Sequence, residues 1–258
     1  MRRRKKNGGS DLNKIYVVGI GPGAYEQMTV KAAEILKKCD VIVGYTVYAE
    51  LLKEYFPDKE FLTTPMQKEI ERCQMAFEEA KNGKKTAMVC SGDAGIYGMA
   101  GLMLELSADY PDIKIEVVPG VTAALGGSAV LGAPLGHDCA FVSLSDLMTS
   151  WEVIEKRLLA AAKADFIICL YNPSSRKRSD YLRRACDIVL KEKSPDTVCG
   201  IVRNIARSKE EMKVMTLEEL KSSQVDMFST VFIGNKDTKV IEGRMVTPRG
   251  YRIDRFRI

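Results

Sequence analysis

The sequence predicts an α/β protein of two similar domains, each a mixed sheet flanked by helices. Three observations carry that expectation. Strand-like and helix-like segments alternate from residue 14 onward. A run of break-forming residues, GAPLG at 132–136, interrupts the alternation near the middle of the chain. A length of 258 residues leaves room for two ordinary domains with full cores.

The elements follow in order. Residues 14–20 read as a strand. Residues 29–38 read as an amphipathic helix, with Val30, Ala32, Ala33, Ile35 and Leu36 on its apolar side. Residues 41–43 form a short buried strand, and 68–82 a longer helix closed by Gly83. A strand at 86–90, a helix at 98–106 and a strand at 113–118 follow, the last stopped by Pro119 and Gly120. Residues 122–130 form a helix of small side chains. Beyond the break come a strand at 140–144, a helix at 151–162, a strand at 166–171, a helix at 179–191 and a strand at 198–202. Residues 212–215 and 230–233 read as late strands with antiparallel pairing. The expected domains are therefore 13–134 and 135–258, after a disordered basic leader at 1–12.

Composition narrows the function classes. Hydrophobic residues make up 46% and charged residues 28%, which is ordinary for a globular protein. No apolar run approaches the roughly 18 residues of a membrane span. The basic leader is not followed by the apolar stretch of a secretory signal. Seven cysteines include no C-x-x-C pair, and several sit in strand-like runs. They read as buried, reduced thiols in a cytoplasmic protein. His137 is the only histidine, which argues against a zinc site and against a Ser-His-Asp hydrolase. The net charge of +5 favours anionic ligands only weakly.

The string Gly19-Ile20-Gly21-Pro22-Gly23-Ala24 formally matches a dinucleotide fingerprint after a strand. Two details oppose that match. The helix that should open directly on the turn starts near Thr29, and Pro22 removes one N–H from the cradle. The acid expected after the second strand is missing, since Asp40 precedes it. On its own, the turn reads equally as a tight strand end or as a backbone bare enough for a ligand to approach.

More turns of this kind follow strands: Ser91 to Tyr97 with Gly92, Asp93 and Ile96; Pro119 to Ala124 with Thr122 and Ala123; Tyr171 to Ser175; and Gly234 with Asn235. Ligands of open α/β sheets bind beyond strand carboxyl ends, so these turns are candidates for one cleft. Each alone has a plainer reading, as a helix cap or an ordinary turn.

The order G-x-G-P-G, G-D-x-x-x-Y, P-G-V-T-A-A, L-Y-N-P and a late I-G-N resembles the tetrapyrrole methylase family, across about residues 14–252. The strings SGDAGIYGMAG, LGAPLGHDCAFVSLSDLMTSWEVIEKRL, YNPSSRKR and MVTPRGY resemble its branch acting on carbon 17 of a corrin precursor, precorrin-3B or cobalt-factor III. Many family members carry proline after the Gly-Asp pair. This chain has Ala94, as that branch does.

The resemblance implies S-adenosylmethionine as cofactor, folded into a cleft between two domains. Matched residue by residue, it implies cofactor contacts from Gly92, Asp93, Ile96, Thr122, Ala123, Tyr171 and Gly234. With the cofactor assigned to those turns, Gly21, Pro22 and Gly23 read as a floor for the tetrapyrrole. It also implies contraction of the macrocycle, which needs proton transfer, and His137 with Asp138 are the candidates for that step. Ser143, Ser145 and Arg203 are candidate substrate contacts, Arg203 because a guanidinium fork suits ring carboxylates. Arg176, Lys177 and Arg178 read equally as carboxylate ligands or as a solvated face. The resemblance implies a homodimer, and no nucleic-acid or membrane partner is expected. The alternatives are methylation at carbon 11, diphthine synthesis and, in a different class, a nicotinamide-dependent oxidoreductase.

Overall fold

The computed structural model describes residues 13–175 and 179–251. The basic leader and Arg176, Lys177 and Arg178 lie outside the described residues. The chain divides into two compact units, 1–122 and 123–258. This division falls before the break at 132–136 because the small-residue helix packs on strands of the second unit.

In the first unit the elements run β1 (Lys14–Gly19), α1 (Val30–Lys38), β2 (Val41–Tyr45), α2 (Thr46–Lys53), β3 (Glu60–Thr64), α3 (Glu69–Lys81), β4 (Thr86–Cys90), α4 (Ala100–Leu106) and β5 (Lys114–Val118). The sheet order is β3-β2-β4-β1-β5. All four pairings are parallel, so the mixed sheet expected here is corrected to a parallel one. A helix crosses between each strand and the next, the connection that parallel neighbours require. Side chains of β1 alternate between two cores. Ile15 and Val17 pack with α3 residues Phe77 and Ala76, while Val18 packs with Ala32 and Leu36 of α1. A sheet covered on both faces explains the nearly continuous apolar run of β4.

The second unit runs α5 (Ala123–Leu131), β6 (Gly132–Ala133), β7 (Cys139–Ser143), α6 (Trp151–Lys163), β8 (Ile167–Tyr171), α7 (Tyr181–Val189), β9 (Val198–Arg203), β10 (Glu211–Thr216), α8 (Leu217–Lys221), β11 (Ser229–Ile233), β12 (Lys239–Ile241) and β13 (Arg244–Val246). Its main sheet has the order β10-β9-β11-β8-β7. β7 and β8 are parallel, β11 runs antiparallel to both β8 and β9, and β10 runs antiparallel to β9. The antiparallel reading of the late strands is thus borne out. One face packs on α6, α7 and α8 through Leu158, Leu182 and Leu220. The other carries Cys169, Val202 and Phe232 against α5. A small sheet, β12-β13-β6, adjoins α5.

All seven cysteines are free thiols, and all but Cys139 are buried. Burial pushes the Cys90 thiol up to about 11 and those of Cys39, Cys73 and Cys186 up to about 12. The thiolate is the reactive form, so these groups are inert in the folded protein. A maleimide or disulfide reagent at about pH 8 is expected to modify Cys139 first and the others only on unfolding. Rapid labelling of several thiols in the folded protein would contradict this packing.

Candidate functional site

The carboxyl edge of the first sheet gathers three of the turns singled out in the sequence. β1 and β4 are neighbours, and so are β1 and β5, so their ends bring residues 19–23, 91–97 and 119–122 together. The contact is made by backbone. Gly21 and Gly92 exchange both hydrogen bonds, at 3.0 and 2.7 Å, and form an antiparallel bridge. Both glycines have positive φ, 77° and 69°, where a Cβ is costly. Gly120 packs on the same junction. A Cβ there would lie 2.2 Å from the Gly92 carbonyl oxygen and 2.7 Å from the Gly19 carbonyl.

Asp93 fastens the assembly. Its Oδ1 accepts from the N–H groups of Gly95 and Ile96, at 2.8 and 3.1 Å. Its Oδ2 accepts from the Gly120 N–H at 2.9 Å. The sequence suggests two roles for this carboxylate, a helix cap or a direct ligand of the cofactor. In the structure it holds its own turn and ties that turn to the next one. A carboxylate has about four acceptor positions, and three are used here by backbone N–H groups.

Thr29 caps α1 by accepting from the Ala32 N–H at 3.1 Å, and its hydroxyl donates to the Pro119 carbonyl at 3.3 Å. The late helix start expected from the sequence is therefore observed. The Gly21 N–H is spent on Gly92. That arrangement does not offer the free N–H cradle a pyrophosphate requires. Pro22 is buried within the turn, and Thr122 is 4% exposed beside the third turn. One acceptor stands out: the Gln27 Oε1 is buried without a hydrogen-bond partner among the described residues. Its residue adjoins the glycine turn, since a Cβ on Gly21 would meet the Gln27 carbonyl at 2.7 Å. A buried acceptor without a donor fits a ligand that carries N–H groups.

In the second unit, Tyr171 closes β8 and its hydroxyl accepts from the Ala124 N–H in the first turn of α5, at 3.0 Å. Ala123 and Tyr171 belong to one apolar cluster with Ile205 and Ala206. Ser143, paired with Tyr171 in register, closes β7. Its Oγ accepts from the Asn172 side-chain amide at 2.9 Å and from the Ser145 N–H at 3.2 Å. The turn after β9 belongs to this same edge. Asn204 and Ala206 there hold φ of 53° and 55°, and Asn172 holds 51°. Non-glycine residues in this region are uncommon and mark over-determined backbone. Sequence reasoning missed the 204–206 turn because it carries no glycine to signal it.

Four of the residues named from the sequence take other positions or partners in the structure. The resemblance implies that Gly234 joins Tyr171 at the cofactor. β11 is antiparallel to β8, so its carboxyl end lies at the opposite edge, where the Gly234 N–H donates to the Val198 carbonyl at 2.9 Å. A Cβ on Gly234 would meet Thr238 and that same carbonyl. His137 and Asp138 precede β7, so they also sit at the edge opposite Ser143 and Tyr171, with side chains 54% and 81% exposed. The two side chains pair with each other, at 3.5 Å between Nδ1 and Oδ2. Arg203 closes β9 at the right edge, but it is held by Asp226 at 2.8 Å. Burial works to raise the Asp226 carboxyl. Hydrogen bonds from Arg203, Ser229 and Phe228 outweigh it and hold the group below its usual range.

Among the described residues, no helix is long and apolar enough to cross a membrane, and no cluster of three or more His, Cys, Asp or Glu side chains fits a metal ion.

Residues 14–221 match the family described as Tetrapyrrole (Corrin/Porphyrin) Methylases. A protein of Salmonella typhimurium named "Probable cobalt-factor III C(17)-methyltransferase" is 49% identical over 238 residues, which cover 92% of this chain and 99% of that one. The crystal structure of the methyltransferase CobJ superposes with a TM-score of 0.84 at 31% identity, covering 92% of this chain and 100% of that one. A uroporphyrin-III C-methyl transferase from Thermus thermophilus, complexed with S-adenyl homocysteine, shares the fold with a TM-score of 0.71 at 21% identity, covering 86% of this chain and 97% of that one.

Proposed function

We propose, from the premise that the chain belongs to the tetrapyrrole (corrin/porphyrin) methylases, that it transfers a methyl group from S-adenosylmethionine to carbon 17 of a corrin precursor, with contraction of the macrocycle. The substrate class is cobalt-factor III or its cobalt-free counterpart precorrin-3B, and the reaction belongs to cobalamin biosynthesis. The observation that carries this reading is the 49% identity to the cobalt-factor III relative across 99% of its length. The geometry supports it through the locked turns of the first sheet and the orphaned Gln27 acceptor beside them.

The cofactor supplies an electrophilic methyl group on a sulfonium. The protein's task is then alignment, which can supply up to about 7–11 kcal/mol of the barrier. Gly92, Ile96 and Thr122 present backbone and side chain to the cofactor, and Asp93 keeps their turns in register. In the second unit, Tyr171 with Ala123 and the 204–206 turn supply the remaining cofactor contacts. Gly21, Pro22 and Gly23 form the substrate floor, and Ser143 and Ser145 remain proposed substrate contacts. Gly234, Arg203, His137 and Asp138 are left out of this set. A homodimer in the cytoplasm is part of the proposal. The free, buried thiols support a reducing compartment.

Calorimetry tests the cofactor class. S-adenosylmethionine and S-adenosylhomocysteine are expected to bind and NAD is not. Binding of NAD alone would return the chain to the oxidoreductases. Pro22→Ala is expected to lower turnover while leaving S-adenosylhomocysteine affinity within about twofold, because the turn faces substrate in this reading. The reverse pattern would move the turn to the cofactor.

A further inference from the structure

Among the described residues of the first unit, one cation is buried without an acid. Arg72 on α3 is 4% exposed. Its Nε donates to Thr64 Oγ1 at 3.0 Å and its Nη2 to the Pro65 carbonyl at 3.0 Å. Its Nη1 lies 3.9 Å from the Met99 sulfur, and the guanidinium carbon lies 5.9 Å from the Tyr45 ring centre. None of the ion pairs among the described residues includes it, although Glu69 and Glu71 are on the same helix. Glu71 pairs with Lys68, and Glu69 accepts from the Gln67 N–H.

This is an expensive arrangement. A buried guanidinium is ordinarily matched by a carboxylate. A cation near a helix N-terminus also meets the wrong end of the helix dipole. A guanidinium has five N–H donors, and protein groups engage three here, one of them a weak sulfur contact. One N–H on each terminal nitrogen is left, the donor pair that takes a carboxylate in two-pronged fashion.

The position is suited to a ligand. Thr64 ends β3, Tyr45 ends β2, and Met99 stands between the 91–97 turn and α4. The guanidinium therefore lies at the carboxyl edge of the first sheet, the edge that carries the locked turns. Pro65 and Met66 beside it are exposed.

We propose that Arg72 anchors a carboxylate of a bound ligand at this edge. The proposal rests on the methyltransferase reading, in which both ligands carry carboxylates: the amino-acid end of the cofactor and the side chains of the macrocycle. Tyr45 and Thr64 hold the guanidinium in place, and the ligand supplies the missing negative charge.

The test uses the full chain as R72Q and R72K, with three probes: S-adenosylhomocysteine, 5′-methylthioadenosine and cobalt-factor III. 5′-Methylthioadenosine lacks the carboxylate. If the anchor holds the cofactor, R72Q weakens S-adenosylhomocysteine about tenfold or more and leaves 5′-methylthioadenosine unchanged. If it holds the macrocycle, S-adenosylhomocysteine affinity is kept and the KM for cobalt-factor III rises by a similar factor. R72K keeps the charge without the fork, so a smaller loss on the same probe is expected; it carries the test should R72Q not fold. A merely structural role would not separate the probes. Wild-type affinity for both ligands in both variants, or an equal loss on all three probes, overturns the anchor alone. A wild-type protein that binds neither S-adenosylhomocysteine nor cobalt-factor III overturns the methyltransferase reading, and the anchor with it.

Discussion

Asp93→Ala is expected to lower cofactor affinity by about tenfold or more and to destabilise the fold by about 2–4 kcal/mol, because three N–H groups lose a charged acceptor at once. Two of those donors, on Ile96 and Gly120, are partly buried, so water only partly replaces the carboxylate. Asp93→Asn should fall between the wild type and alanine. Its one carbonyl oxygen can serve the Gly95 and Ile96 pair or Gly120. Its amide nitrogen must then face an N–H donor on the other side. Thermal unfolding together with titration of S-adenosylhomocysteine reads both effects. Equal melting temperature and equal affinity in Asp93→Ala would remove the clamp from the account. A large affinity loss with no change in stability would return Asp93 to the role of a direct cofactor ligand.

Gly120→Ala should be more disruptive than its size suggests. The added Cβ would stand 2.2 Å from the Gly92 carbonyl oxygen and 2.7 Å from the carbonyl of Gly19. These are backbone atoms at strand ends, and no flexible side chain can yield. Overpacking of this kind costs about 1–3 kcal/mol, and rigid surroundings push it to the upper end. The turn must move away from its two neighbours, which also breaks the Gly120 bond to Asp93. Cofactor binding and turnover should therefore fall together, with activity lost by two orders of magnitude, about 3 kcal/mol of transition-state alignment. Gly83→Ala is the control, since that glycine closes α3 with nothing within 4 Å of its Cβ position. Its positive φ of 81° predicts a modest stability loss without loss of function. Gly120→Ala at near wild-type activity would show that the turns need not touch.

Much of the first unit was legible because its signals are local. Strands such as β4 are apolar runs, the helices carry their own periodicity, and glycines mark turns where the chain must pack backbone on backbone. The edge strand β3 and the helix α2 went unread, since neither stands out as a strongly periodic segment. In the second unit, strand direction matters more than local pattern. A glycine after a strand looks the same whether the strand runs up or down. The antiparallel pairing expected for residues 230–233 is what carries Gly234 to the far edge, a consequence that matching the motif alone does not register. His137 drew attention as the only histidine, yet its place before β7 exposes it at that same edge. The Asp93 clamp lay beyond sequence reasoning for a further reason: its partner Gly120 is 27 residues away, and only folding brings the two together.

The central claim is methyl transfer to carbon 17 of a corrin precursor, and one measurement meets it directly. Purified protein is incubated with S-adenosylmethionine carrying a carbon-13 methyl group and with cobalt-factor III or precorrin-3B, and the product is read by mass and carbon NMR. The account predicts one labelled methyl group per macrocycle, attached at carbon 17. A macrocycle labelled at another carbon, or unlabelled in both incubations while the protein binds S-adenosylhomocysteine, would contradict it.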